Sequence, residues 1–177
     1  MAHATASSSG PTAIERDQVA GLPRHVIGVA AVVIDDDGRV LTVRRHTPPR
    51  WELPGGALEV GETLHEGVVR EVREEVGLDV EPVRLTGIYQ NMALGPTALV
   101  FWCQRIGGQE RPSSETTDWR WVRRDELPAL MPPAWSTRFT DALDAYDAAH
   151  GADGHGVEFG DGIPDVPVRA HDGRVLL

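Results

Sequence analysis

Glu62, Arg70, Glu71, Glu74 and Glu75 fall in one short stretch of the chain, with Gly55-Gly56 before it and Gly77 after it. On a helix, a turn of about 100° per residue gathers Glu71, Glu74 and Glu75 into an arc of about 100°, so their carboxylates are expected to converge. Clustered carboxylates repel one another and raise the pKa of at least one member unless a divalent cation neutralises them. Hard oxygen ligands suit Mg²⁺ or Mn²⁺ better than zinc, so the chemistry expected is that of a metal and phosphate site.

These side chains need a helix to carry them, and its signals are present. Thr63 and Glu66 form a capping box, and Gly77 can take the positive φ that stops a helix. Leu64, Val68, Val69, Val72 and Val76 collect on a neighbouring face, which can pack on a sheet while the acids look along its edge. Arg70 lies beside the acids and is expected to orient one carboxylate through a forked hydrogen bond. Glu62 is expected to fasten the preceding loop to the helix from behind the metal ligands.

The full spacing is Gly56, five residues, Glu62, seven residues, then Arg70-Glu71-Val72-x-Glu74-Glu75-x-Gly77-Leu78. It resembles the Nudix box at every fixed position, and the resemblance to the Nudix hydrolase family extends over residues 24 to 149. It implies an α/β/α sandwich around a mixed β-sheet, the class that the order of strands and helices also indicates. The implied reaction is hydrolysis of a nucleoside diphosphate linked to another group X, by water attack at phosphorus. By position, Glu71, Glu74, Glu75 and the carbonyl of Gly55 match the family's metal ligands, and Glu74 or Glu75 matches the general base. Many relatives add a loop acid before a strand ending in Trp-Val; Glu115 is the candidate here, with Asp118 competing.

Arg44, Arg45 and Arg50 stand just upstream of Gly55-Gly56, where phosphate oxygens would lie. Strand alternation lets one of Arg44 and Arg45 face the site, and Arg45 is favoured. Trp51, Tyr89, Phe101, Trp119 and Trp121 could stack on a base but read first as core aromatics, and Asn91 and Met92 are weaker candidates of the same kind. His65 is expected on the surface, turned away from the acids.

The chain of 177 residues accommodates one catalytic domain, here 24–149, with a tail at 1–23 and a Gly/Pro-rich extension at 150–177. A net charge of −10 argues against a nucleic-acid polymer as partner and leaves small phosphorylated molecules, above all a nucleotide. The longest apolar run is short of a membrane span, and the first residues lack a secretory pattern, so a cytoplasmic address is expected. Cys103 is the single cysteine and sits in an apolar run, as a core residue would.

Around the box, Arg24 to Ile34 and Arg39 to Arg45 read as a hairpin about a turn ending on Gly38, followed by strands at Val80 to Gln90, Thr97 to Arg105 and Asp118 to Val122. Gly107 to Ser114 reads as loop. A short helix is expected at Arg123 to Leu130. A final helix, Pro133 to Ala149, carries Trp135, Phe139, Leu143 and Tyr146 as a core stripe. Gly151 to Pro167 reads as a linker. Pro167 to Leu177 reads as a small hairpin able to join a sheet edge in this chain or in a second copy, which leaves a homodimer open. Two substrate classes fit, a nucleoside triphosphate and a nucleotide sugar such as ADP-ribose. A sensor that binds a nucleotide sugar without cleaving it is the alternative function.

Overall fold

The structure is a computed structural model, and it describes residues 25–151 and 167–170. Its centre is an eight-stranded mixed sheet. The strands are β1 (Ile27–Ile34), β2 (Val40–Arg45), β3 (Trp51–Glu52), β4 (Gly55–Ala57), β5 (Leu78–Gln90), β6 (Thr97–Gly108), β7 (Thr116–Val122) and β8 (Val168–Ala170). Helix α1 (Leu64–Val76) lies between β4 and β5. A 3-10 turn (Arg124–Glu126), the single-turn α2 (Leu127–Leu130) and the long α3 (Pro133–His150) follow β7.

The main path through the sheet is β3-β2-β1-β6-β5-β8; β1 runs parallel to β6 and β5 parallel to β8, and the other pairs are antiparallel. Strand alternation sorts the central residues to two faces. Val29, Ala31, Val33, Phe101 and Cys103 pack with Val68, Val72 and Val76 of α1. Ala30, Val32, Ile34, Val100 and Trp102 face Phe139, Ala142 and Leu143 of α3 instead. Helices on both faces of one sheet make the α/β/α sandwich. No helix among the described residues is long and apolar enough to cross a membrane.

Most elements fall where the residues place them, and the differences have local causes. The β1–β2 hairpin is paired at its turn, Ile34 opposite Val40, and then opens. From there β2 pairs with β3 and β7, while β4 lies along β1 from Gly28 to Ala30. Gly55 permits that approach: its φ is 155°, and a Cβ there would run into Val29 and Ala30. The expected loop at Gly107 is still strand through Gly108, because β5 starts at Leu78, directly after the cap at Gly77, and Leu78 pairs Gly108. The stripe on α3 is core as expected, with Phe139 and Leu143 buried and Trp135 and Tyr146 packed against them. At the C-terminus, β8 joins the edge of β5 in the same chain; the rest of the expected tail, linker and hairpin lies outside the described residues.

Candidate active site

Helix α1 is fixed at both ends before any acid is positioned. Thr63 Oγ1 accepts the Glu66 amide at 3.2 Å, and Glu66 accepts the Thr63 amide at 2.8 Å, closing the capping box. Gly77, at φ 80°, ends the helix with its amide on the Arg73 carbonyl. Between these ends the valine face holds the helix on the sheet, and the acids stand along the rim beside β4.

Arg70 ties the rim together. Its Nε and Nη2 donate to the two carboxylate oxygens of Glu62 at 2.7 and 3.0 Å, its Nη1 to Glu71 at 2.8 Å and Glu74 at 3.2 Å, and Nη2 also reaches the Ala57 carbonyl at 3.1 Å. The Arg70 guanidinium and the Glu59 amide hold the Glu62 carboxyl below the usual range. Glu71 goes the other way, because burial outweighs Arg70 and the neighbouring Glu74 and Glu115 charges add to the rise. Glu62 therefore fastens the loop to the helix through Arg70, and Arg70 orients Glu71.

Glu75 is 3% exposed and accepts the Gly55 amide at 2.9 Å. Burial pushes its carboxyl up to about 8, against the Gly55 hydrogen bond and with help from Glu71, Glu52 and Glu115. Glu115 is exposed, but its backbone is pinned where its charge reaches Glu71 and Glu75. Its carbonyl accepts the His46 amide at 2.9 Å, and the next residue, Thr116, donates its hydroxyl to the Glu75 carbonyl. Asp118 is placed differently, opposite Arg44 in the β2–β7 ladder, with Oδ1 on the Trp119 amide at 2.9 Å.

The carboxylates share one rim without meeting at a point. Among the described residues no three histidine, cysteine or carboxylate side chains stand close enough to hold a metal ion as placed. The reason is that the acids answer two partners: Glu71 and Glu74 turn to Arg70, Glu74 with its side chain 62% exposed, and Glu75 turns to the Gly55 amide.

Beside the rim opens a cleft of about 530 Å³, walled by Arg45, Arg50, Gly56, Tyr89, Trp135 and Arg138. Gly56 is the partition, since a Cβ there would lie 2.5 Å from Glu71 Oε1. Arg50 and Arg45 reach the cleft on either side of the buried Glu52, at 2.7 and 3.5 Å from its carboxylate. Arg44 points to solvent and does not line it. A larger, more open hollow of about 820 Å³ runs along α1 past Val60, His65 and Arg73 and touches Glu62, Arg70 and Glu74 of the rim.

Residues 24–143 match the family model of the NUDIX domain, about two thirds of the chain. The chain belongs to the Nudix family. Among its relatives, a MutT-like protein of Streptomyces ambofaciens is 44% identical over 155 residues, which is 88% of this chain and 89% of the relative. A putative 8-oxo-dGTP diphosphatase of Bacillus subtilis is 31% identical, over 64% of this chain and 77% of its own length. A NUDIX hydrolase from Nitrosomonas europaea has the same fold at a TM-score of 0.66 and 19% identity, covering 84% of this chain and 80% of that one.

This Nudix hydrolase thus brings Glu62, Arg70, Glu71, Glu74, Glu75, Gly55 and Glu115 to one rim and Arg45 to the adjoining cleft. The aromatic candidates divide. Tyr89 is both core and cleft wall, Phe101 is core, and Trp51, Trp119 and Trp121 pack against the core. Asn91 borders the cleft, but its Oδ1 accepts the amides of Ala93 and Leu94; Met92 is exposed. His65 is exposed, edge-on to Phe101 at 5.3 Å. Arg50, placed by the sequence with Arg44 and Arg45 near the phosphates, does wall the cleft and pairs with Glu52; sequence reasoning missed Arg138. The available signal for Arg138 was an arginine three residues after Trp135, on the apolar stripe of α3.

The Glu75 environment sets a pH dependence. An acid whose pKa rises on folding binds more protons in the folded than in the unfolded chain between its ordinary 4.5 and about 8, so stability falls as pH rises through that window. In EDTA, the melting temperature of the protein is expected to fall from pH 5 to pH 8, by an amount reflecting a few kcal/mol at most. Most of that fall should vanish in Glu75→Gln. Parallel pH profiles for the two proteins would contradict this placement of the carboxyl.

Proposed function

We propose that this Nudix hydrolase cleaves the pyrophosphate linkage of a nucleoside diphosphate joined to a group X, such as a nucleoside triphosphate or a nucleotide sugar, in a reaction dependent on Mg²⁺ or Mn²⁺. The observation that carries the reading is the pair of buried carboxylates, Glu71 and Glu75, both raised in pKa first by burial, on a rim shared with the exposed Glu74. Those hard oxygens, with the Gly55 carbonyl and Glu115, fit a divalent cation of the Mg²⁺ or Mn²⁺ kind. Held by these residues, such a cation would supply charge neutralisation for the linkage oxygens and a lower pKa for an attacking water.

The chain's own groups do the rest. The Gly55 amide holds Glu75 in place, and Arg70 fixes Glu71 and Glu74 against the Ala57 carbonyl and Glu62. Glu74 or Glu75 takes the proton from the water. Arg45 faces the cleft and is proposed to bind a phosphate oxygen. The names of two relatives support a nucleotide as substrate: the Bacillus subtilis protein and an ADP-ribose pyrophosphatase of Methanocaldococcus jannaschii, 32% identical over 105 residues. The net charge of −10 favours a small nucleotide over a nucleic-acid polymer.

The test is a nucleotide panel incubated with Mg²⁺, Mn²⁺ or EDTA, reading released monophosphate, pyrophosphate and phosphate. Cation-dependent release of a nucleoside monophosphate is expected. Tight binding with intact substrate across the panel would favour the sensor. On the best substrate, Arg45→Ala should lower kcat/KM about tenfold or more, the size expected for a lost charged hydrogen bond. Arg44→Ala should do less, and equal, negligible effects would remove both from the site.

A further inference from the structure

Three guanidinium groups, those of Arg45, Arg50 and Arg138, open on the cleft beside Gly56, and among the described residues no carboxylate lines it. Glu52, beneath the wall, is engaged by Arg50 and Arg45. Arg138 has a different setting. Its guanidinium carbon lies 4.7 Å from the Trp135 ring and 5.2 Å from the Tyr89 ring. Its Nε is buried without a hydrogen-bond partner, and burial pushes its pKa below the usual arginine value.

The nearest acid on its own helix, Asp141, is occupied elsewhere. It accepts the Tyr89 hydroxyl at 2.7 Å and Arg169 of β8 at 2.7 and 2.8 Å. Among the described residues no carboxylate hydrogen-bonds or ion-pairs with Arg138: its close contacts are the two ring faces, and Glu52, already held by Arg50 and Arg45, reaches it through its charge alone. Stacking occupies the face of a guanidinium and leaves its N–H edge for a carboxylate or phosphate, and a desolvated cation without a paired counter-ion gains from one.

We infer that this cleft receives a second anionic group of the substrate, beyond the linkage held at α1, and that Arg138 together with Arg50 binds it. The substrate class is then a nucleoside diphosphate whose X is itself negatively charged: the terminal phosphate of a triphosphate, or a phosphorylated or carboxylated group. A neutral sugar would leave the Arg138 edge unmatched. This rests on the proposed reading of the α1 rim for the position of the scissile linkage. Tyr89 and Asp141 act as positioning residues, holding the ring against which Arg138 lies.

The experiment compares kcat/KM for a nucleoside triphosphate, a nucleoside diphosphate-glucuronate and the corresponding diphosphate-glucose, all with the same base, in the full chain and its variants. The wild type should prefer the charged substrates about tenfold or more. Arg138→Gln should remove about that factor from them while changing the glucose substrate less than about threefold. A loss confined to the triphosphate identifies a phosphate receptor, and a loss on both charged substrates a general anion receptor; either supports the inference. A wild-type preference for the neutral sugar, an equal loss on all three substrates, or no loss overturns it. Should Arg138→Gln melt below assay temperature, Arg138→Lys is read in its place; it keeps the charge without the fork and should lose part of the preference.

Calorimetric binding of inorganic tripolyphosphate in EDTA separates this inference from the reading it rests on. Weaker binding to Arg138→Gln by about fivefold or more supports the anion receptor even if no substrate turns over, which would sink the hydrolase reading alone. Unchanged binding, with normal cation-dependent turnover, sinks the receptor and leaves the hydrolase.

Discussion

Glu75→Gln is expected to lower kcat by about two orders of magnitude or more at saturating cation, while the protein remains folded. The side chain is 3% exposed and holds the Gly55 amide at 2.9 Å, a bond that the isosteric amide oxygen can still accept. What the substitution removes is charge and basicity. Burial already works against that charge, so the variant should be no less stable than the wild type at pH 8 in EDTA. Glu74→Gln should reduce the rate comparably and leave the melting temperature where it was, because that side chain stands 62% exposed. Glu115→Gln should cost less, and an unchanged rate would take it out of the site. Full turnover in either helix variant would contradict the assignment of the rim.

Arg70→Lys should be nearly as damaging by a different route. The guanidinium makes contacts of 2.7 to 3.2 Å with Glu62, Glu71, Glu74 and the Ala57 carbonyl, a span that one ammonium group cannot reproduce. With Glu71 no longer held, kcat should fall about ten- to a hundredfold and the Mg²⁺ needed for half-activation should rise, since positioning groups of this kind are worth about that in metal affinity or activity. The loop carrying Glu62 loses its anchor as well, so a lower melting temperature accompanies the loss. Wild-type dependence on Mg²⁺ in this variant would show that Arg70 orients nothing.

What could be read from the chain and what could not divide along contact distance. Helix α1, its cap at Thr63, its stop at Gly77 and its two faces are all local, set by residues three or four apart, and the structure has them where the spacing puts them. The division of Val29 through Ile34 between two helix-covered faces follows from strand alternation. The short strands at Trp51–Glu52 and Gly55–Ala57 carry too few residues to show a period, so nothing local announces them. Nor does the opened hairpin show in sequence, because it depends on β4 taking the edge of β1.

The acids illustrate the same limit. A helical wheel places Glu71, Glu74 and Glu75 on one arc, but it cannot say that Arg70 draws Glu71 and Glu74 while the Gly55 amide draws Glu75. The cleft is the extreme case. Arg45, Tyr89 and Arg138 come from β2, β5 and α3, and only the assembled sandwich brings them around one space.

The most direct test of metal-dependent hydrolysis at this rim is mass spectrometry of the products after reaction in ¹⁸O-water, with Mg²⁺ and the best substrate of the panel. A nucleoside monophosphate together with pyrophosphate or a phosphorylated partner is expected, with one ¹⁸O on one product phosphate and no product in EDTA. Label-free products, an undiminished yield in EDTA, or substrate left intact after hours with wild-type protein would contradict it.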